Sequence, residues 1–219
     1  MGKDDYYLRV GKASDLKDPK ERFLFRLFEI LPGAISWIIL LLIVLLSWSH
    51  PFLVAVFTIV FVVFWFLRTF YFSLHLWSGY KKMAENEKID WIKKLQTIPN
   101  WKNIYHLIVI PMYKESLEVI RDGLKSLIET DYPKEKMIVV LACEERAKKF
   151  VQPIADQVEK EFSSKFLKFL ITWHPNNLPG EIAGKGSNET WATKIVKEKI
   201  IDPLKINYEN LIFSPFDVD

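Results

Sequence analysis

Cysteine is almost missing from this sequence. Cys143 stands alone among 219 residues, which excludes an internal disulfide framework and suits a reducing compartment. The four histidines never gather with it at metal-ligand spacing, so a zinc site is not expected. No G-x-S-x-G elbow marks a hydrolase nucleophile, and no internal repeat or low-complexity tract is present. The formal net charge of +3 is too small to argue for nucleic acid as a partner. Cys143 itself ends an apolar run and reads as a packing residue.

Charge is absent from two long segments. Residues 31–49 read LPGAISWIILLLIVLLSWS, without one ionisable group, and residues 52–67 read FLVAVFTIVFVVFWFL, uncharged until Arg68 and apolar again to Phe72. Each approaches the ~20 residues needed to cross a hydrocarbon core. Between them stand Ser49, His50 and Pro51, and Pro51 cannot continue the first helix because it lacks an N–H and clashes with the preceding turn. A tight transmembrane hairpin over residues 31–72 is expected. Two buried helices of a soluble core are the alternative, and a cleaved signal peptide fits worse because the apolar stretch starts late and is doubled.

Loop charge predicts orientation. Lys17, Lys20, Arg22 and Arg26 precede the first span, while Lys81, Lys82 and Lys88 follow the second, and the turn carries no Lys or Arg. By the positive-inside bias, both ends face the cytoplasm across the inner or plasma membrane, with residues 1–30 as a cytoplasmic segment. Trp37, Trp48, Trp65, Tyr71, Trp77 and Tyr80 suit the interfaces with membrane lipid. Residues 73–103 are read as an interfacial linker, part of it lying along the membrane surface.

From residue 104 onward the composition is that of a soluble domain. Four short apolar runs read as buried strands: IYHLIVIP (104–111), KMIVVLAC (136–143), FLKFLITW (166–173) and NLIFSPF (210–216). Pro111 is read as ending the first. Helical segments lie between them: 117–130 carries Leu117, Ile120, Leu124, Leu127 and Ile128 on one face, 147–162 follows, and 188–201 has helical character. Alternation of this kind predicts an α/β fold with a mostly parallel sheet covered on both faces. Ligands of such sheets bind beyond the carboxyl ends of the strands. That rule gathers Tyr113, Lys114 and Glu115, then Glu144 and Glu145, then His174, then Asp217 and Asp219, along one rim.

Asp217 and Asp219 are spaced to share one side of an extended chain. Paired carboxylates suit a hard divalent ion that takes its other ligands from water and substrate phosphates. Residues 179–189, PGEIAGKGSNE, form a glycine-bearing loop with Lys185 leading into a helix expected to start at Ser187 or Asn188. Gly184 and Gly186 permit close backbone approach, and a helix start offers N–H groups to an anion. The spacing is not that of G-x-x-x-x-G-K-[ST], so an ATP-hydrolysing P-loop is rejected. His174 reads as structural.

Together these segments resemble the membrane-bound family 2 glycosyltransferases, the group of cellulose and hyaluronan synthases. VIPMYKE is similar to that family's first-strand motif, SLIETDYP to the helix and turn after it, VVLACEER to a strand ending in an acidic pair, GEIAGKGSNETWA to its Gly-Lys-x-x-Asn segment, and FDVD to its D-x-D motif. The resemblance spans residues 104–219, with the paired spans before it. It implies the first half of a GT-A (Rossmann-like) domain and an inverting, metal-dependent transferase. That enzyme would move sugar from a nucleotide-sugar donor, UDP-linked by analogy, to a glycan or lipid acceptor.

By position, Pro111, Tyr113 and Glu115 would border the base and ribose, and Glu144 or Glu145 would face the uracil edge. Lys185, with Asn188 in the same segment, would neutralise the diphosphate. Asp217 would lie near ribose and donor sugar, and Asp219, with Asp217, would hold Mg²⁺ or Mn²⁺. Lys114 stands where the family has Asn, and Glu144-Glu145-Arg146 replaces an Asp-Asp-Gly ending, so the nucleotide stays open. The family's acceptor half and its general base follow D-x-D, so this sequence reads as a truncated transferase, inactive alone. The alternative is a non-catalytic membrane-anchored module that binds a nucleotide or docks a protein.

Overall fold

A computed structural model describes residues 10–178 and 180–217. The chain forms two compact units, one of them Leu16–Trp91 and the other built from Ile92 onward together with the first residues of the chain.

Leu16–Trp91 contains two long helices. Helix α1 (Pro19–Ser49) starts where Asp18 accepts from the Lys20 N–H at 2.9 Å and Pro19 takes the first helical position, a site where its missing N–H costs nothing. It passes through Pro32 without ending. Only His50 separates it from α2 (Pro51–Asn86), which Pro51 opens. Each is long and apolar enough to cross a membrane, and none of either helix's most apolar stretch is buried. Ile43, Leu46 and Val54 beside the turn are half-buried, whereas every residue from Ala55 to Met83 is exposed. The turn at Pro51 is as expected. The linker is not: α2 runs unbroken past Phe72 to Asn86, a rod of roughly 54 Å at 1.5 Å per residue. Residues 73–86 are therefore its continuation.

The second unit is α/β. Its strands are β1 (Tyr105–Met112), β2 (Met137–Glu144), β3 (Lys168–His174) and β4 (Leu211–Pro215), all parallel, in the order β3-β2-β1-β4. Between them lie α4 (Leu117–Glu129), α5 (Lys148–Phe162) and α6 (Lys185–Val196), with a short α3 (Trp91–Gln96) before β1. Ile108, Ile110 and Met112 pack with Ile120 and Leu124 of α4 and Val151, Ala155 and Val158 of α5. On the opposite face Leu107, Val109, Ile138 and Val140 pack with Ala192 and Val196 of α6. Burial on both faces is why β1 and β2 read as continuous apolar runs without alternation.

Two prolines show how the backbone accommodates the rim. Contrary to expectation, Pro111 does not end β1, which runs on to Met112 in register with Cys143. The Val109 carbonyl faces β4, accepting from the Phe216 N–H at 2.9 Å, and residues two apart face the same way. Pro111 thus turns its missing N–H toward β4 beyond the last paired residues, Val109 and Pro215, so no ladder bond is lost. Pro215 faces the other way, onto the open edge of β4, where a proline blunts pairing.

Candidate functional site

The strand order reverses at β1: the chain steps outward to β2 and β3 on one side, then returns to place β4 on the other. Such a switch point leaves a crevice beyond the carboxyl ends of the two diverging strands. A cleft of about 200 Å³ lies there. Pro111, Met112, Tyr113 and Glu115 line it from β1 and its following loop, Glu144 and Arg146 from the end of β2, Lys185 and Asn188 from α6, and Asp217 from the end of β4. It is smaller than the 300–1,000 Å³ of a complete small-molecule site.

Each acid in the cleft is already engaged. Glu115 folds back, its Oε2 accepting from the Tyr113 N–H at 2.6 Å and the Lys114 N–H at 3.0 Å, which fixes the loop. Glu144 is buried and forks onto Arg146, whose Nη2 donates to Oε1 at 3.0 Å and whose Nε is closer still to Oε2. Glu144, through this hydrogen bond, holds the Arg146 guanidinium pKa above its ordinary value. The same guanidinium lies 4.3 Å from the centre of the Tyr113 ring, and the Lys114 ammonium lies 5.1 Å from it. Both cations thus sit over the Tyr113 ring, drawn by the attraction of its face for positive charge.

Across the cleft the Lys185 ammonium donates to Asp217 Oδ2 at 2.6 Å. Helix α6 begins at Lys185, not at Ser187 or Asn188 as expected. Ser187 explains the shift. Its hydroxyl accepts from the Gly184 N–H at 3.2 Å and donates to the Gly184 carbonyl at 2.8 Å, so it sits inside the first turn and reaches back to close it. Lys185 becomes the first helical residue, at the end where partial positive charge collects. Asn188 is buried, and its Nδ2 donates to the Ala142 carbonyl at 2.6 Å, tying α6 to β2. Its Oδ1 is buried with no hydrogen-bond partner among the described residues.

Other expected residues lie elsewhere. Glu145 is exposed and outside the cleft, its carboxylate accepting from the Asn176 N–H at 3.4 Å. His174 is buried, 2.9 Å from Glu181 Oε2 and edge-on to Trp191. Asp219 lies outside the described residues. Cys143 is buried, and desolvation, with the nearby Glu115 carboxylate, pushes its thiol up to about 12. Sequence reasoning missed Arg146 as a cleft residue. Its signal was available: a cation two residues after an acid at a strand end can turn back onto that acid.

Among the described residues, no group of three or more His, Cys, Asp or Glu side chains converges as a metal cage. Among the described residues, Asp217 is engaged by Lys185 and by neither backbone nor arginine. A magnesium-type ion needs only one or two carboxylates when substrate phosphates complete its shell. Among the described residues, Asp217 could therefore contribute one carboxylate to such an ion, and the remaining ligands would come from elsewhere. In comparisons with protein-family models, curated proteins and solved structures, none matches this chain.

Proposed function

We propose that this chain is the donor-binding part of a membrane-anchored glycosyltransferase of the family 2 type, taking a nucleotide-sugar, with UDP as the first candidate nucleotide. The observation that carries the reading is the convergence at one switch-point cleft of Tyr113, Glu115, Glu144, Lys185, Asn188 and Asp217, drawn from separate segments of the chain. Strand order 3-2-1-4, with helices on both faces, is also the opening order of a Rossmann-like sheet, which supports a GT-A assignment. Helices α1 and α2 would hold the domain at the inner membrane face, where the Lys and Arg residues flanking their apolar stretches favour the cytoplasm.

In this reading the Tyr113 ring and the Arg146 guanidinium stacked on it offer a surface for a base. The Glu115-closed loop presents Tyr113 to it. Lys185 and the first turn of α6 receive the diphosphate, and their positive charge stabilises the negative charge that builds as the diphosphate departs. Because Lys185 rests on Asp217, diphosphate binding draws the lysine away and releases the carboxylate. Asp217, with Asp219, would hold Mg²⁺ or Mn²⁺, which supplies further charge neutralisation to the leaving group when bound. The acceptor would be a glycan or lipid.

The test is calorimetric titration of the whole chain in detergent with UDP, with and without Mg²⁺. Binding should require the divalent ion, and Lys185→Ala or Asp217→Ala should weaken it by about tenfold or more, the loss of one charge-assisted bond. No UDP affinity, or affinity unchanged in both variants, overturns the reading. Competition by CDP and GDP reads the base. A second reading, a docking module without catalysis, is favoured by the open edge of β4, where Ile212 is 52% and Phe213 44% exposed. It predicts no nucleotide affinity and a protein partner lost on Phe213→Glu.

A further inference from the structure

Arg68 interrupts the apolar surface of α2. Its guanidinium lies 5.0 Å from the centre of the Trp65 ring and 5.4 Å from that of Phe72, so two aromatic faces hold it. Among the described residues, no carboxylate pairs with it. Tyr71 and His75 sit three and seven positions further along, on the same side of the helix, with their rings 4.3 Å apart. All of these side chains are exposed, as is the whole helix from Ala55 to Met83. Among the described residues, no protein group covers the stripe.

Depth decides what does. Arg68 lies seventeen positions beyond Pro51, or roughly 26 Å along the helix axis, and Tyr71 roughly 30 Å. A hydrocarbon core measures about 30 Å. With the turn at one interface, the Arg68 guanidinium, held by the Trp65 and Phe72 rings, lies near the opposite end of the hydrocarbon core, within snorkelling reach of that headgroup layer. There it presents a planar fork of N–H donors, matched in shape and charge to a phosphate, beside a phenol and an imidazole that can donate to the same group.

We propose that Arg68, Tyr71 and His75 form a headgroup site for an anionic phospholipid in the leaflet next to the C-terminal end of α2. The aromatic rings of Trp65 and Phe72 orient the guanidinium, and the lipid phosphate supplies the counter-charge that the protein does not. This rests on the membrane-spanning reading of α1 and α2.

The experiment reconstitutes the full chain into nanodiscs of equal phosphatidylcholine and phosphatidylglycerol, then counts by native mass spectrometry the lipids retained after detergent release. Wild type should retain phosphatidylglycerol over phosphatidylcholine by about fivefold. Arg68→Gln should abolish the preference, Arg68→Lys should reduce it, and Lys88→Gln beyond the helix should leave it intact. Carbonate extraction of the same preparations reads embedding separately. A chain that resists carbonate but retains both lipids equally, or keeps its preference in Arg68→Gln, overturns the lipid site alone. A chain released by carbonate overturns the spanning reading and the lipid site together.

Discussion

Removing Arg146 tests whether the cleft depends on an internal ion pair. The Glu144 side chain is 7% exposed and its partner Arg146 38%. Breaking a fully buried pair costs about 3–5 kcal/mol, because the remaining charge is stranded, whereas an exposed pair is worth about 0–1 kcal/mol. With one partner buried and the other more than a third exposed, the stranded Glu144 in Arg146→Ala should cost about 2 kcal/mol. Loss of the cation over Tyr113 adds about 0.5 kcal/mol. For a unit of this size that is a fall in Tm of about 5–10 °C.

Glu144→Gln keeps the shape of the side chain and removes its charge. The double variant Glu144→Gln/Arg146→Ala should therefore be no less stable than Arg146→Ala alone, so the coupling is at least as large as the cost of Glu144→Gln by itself. The assay is thermal unfolding of the four proteins by near-ultraviolet circular dichroism in one detergent. Single costs that add to the double within about 0.5 kcal/mol, the limit for independent sites, refute the coupling. So does an Arg146→Ala protein as stable as wild type.

Two further outcomes follow from burial. Desolvation lowers the pKa of His106, whose Nε2 lies 2.7 Å from the Ser214 hydroxyl, below 6.5. The unfolded chain thus takes up a proton before the folded one, and stability should be full above pH 6.5 and fall as pH drops from there through the folded value. His106→Gln should flatten that slope in urea unfolding measured from pH 7.5 to 5, and an unchanged slope counts against the assignment. Cys143, buried and pushed up to about 12, is a protonated thiol at pH 8. It should resist an aromatic disulfide reagent in the folded protein and react at once in denaturant, whereas rapid native labelling would contradict its burial.

Some of this protein was legible in its residues alone. Uncharged runs of transmembrane length with Pro51 between them specify two helices and a turn, because helix length and proline geometry are local properties. The four apolar runs became four parallel strands because strands buried on both faces carry that pattern wherever they sit. Part of the rim was legible too: chain alternation fixes which strand ends share an edge, and Tyr113, Glu115, Glu144 and Asp217 do meet there, whereas Glu145 and His174 turn to other partners. The end of α2 was not, because residues 73–86 favour a helix as readily as a surface segment once a preceding helix is there to extend. Nor was the start of α6, which Ser187 sets by reaching back to Gly184.

Which acid enters the cleft was decided by tertiary structure. Glu144 and Glu145 are neighbours of one kind, and only the register of β2 against β1 and β3 turns the first inward and the second toward Asn176. The same register brings Arg146 back over Tyr113, a contact between residues thirty-three positions apart. Asp217 meets Lys185 only because β4 lies beside β1, on the far side from β3, so the sheet order makes the switch-point cleft. Local sequence sets what each segment becomes. Which side chains meet depends on strand order and register, which the packing of the whole sheet selects.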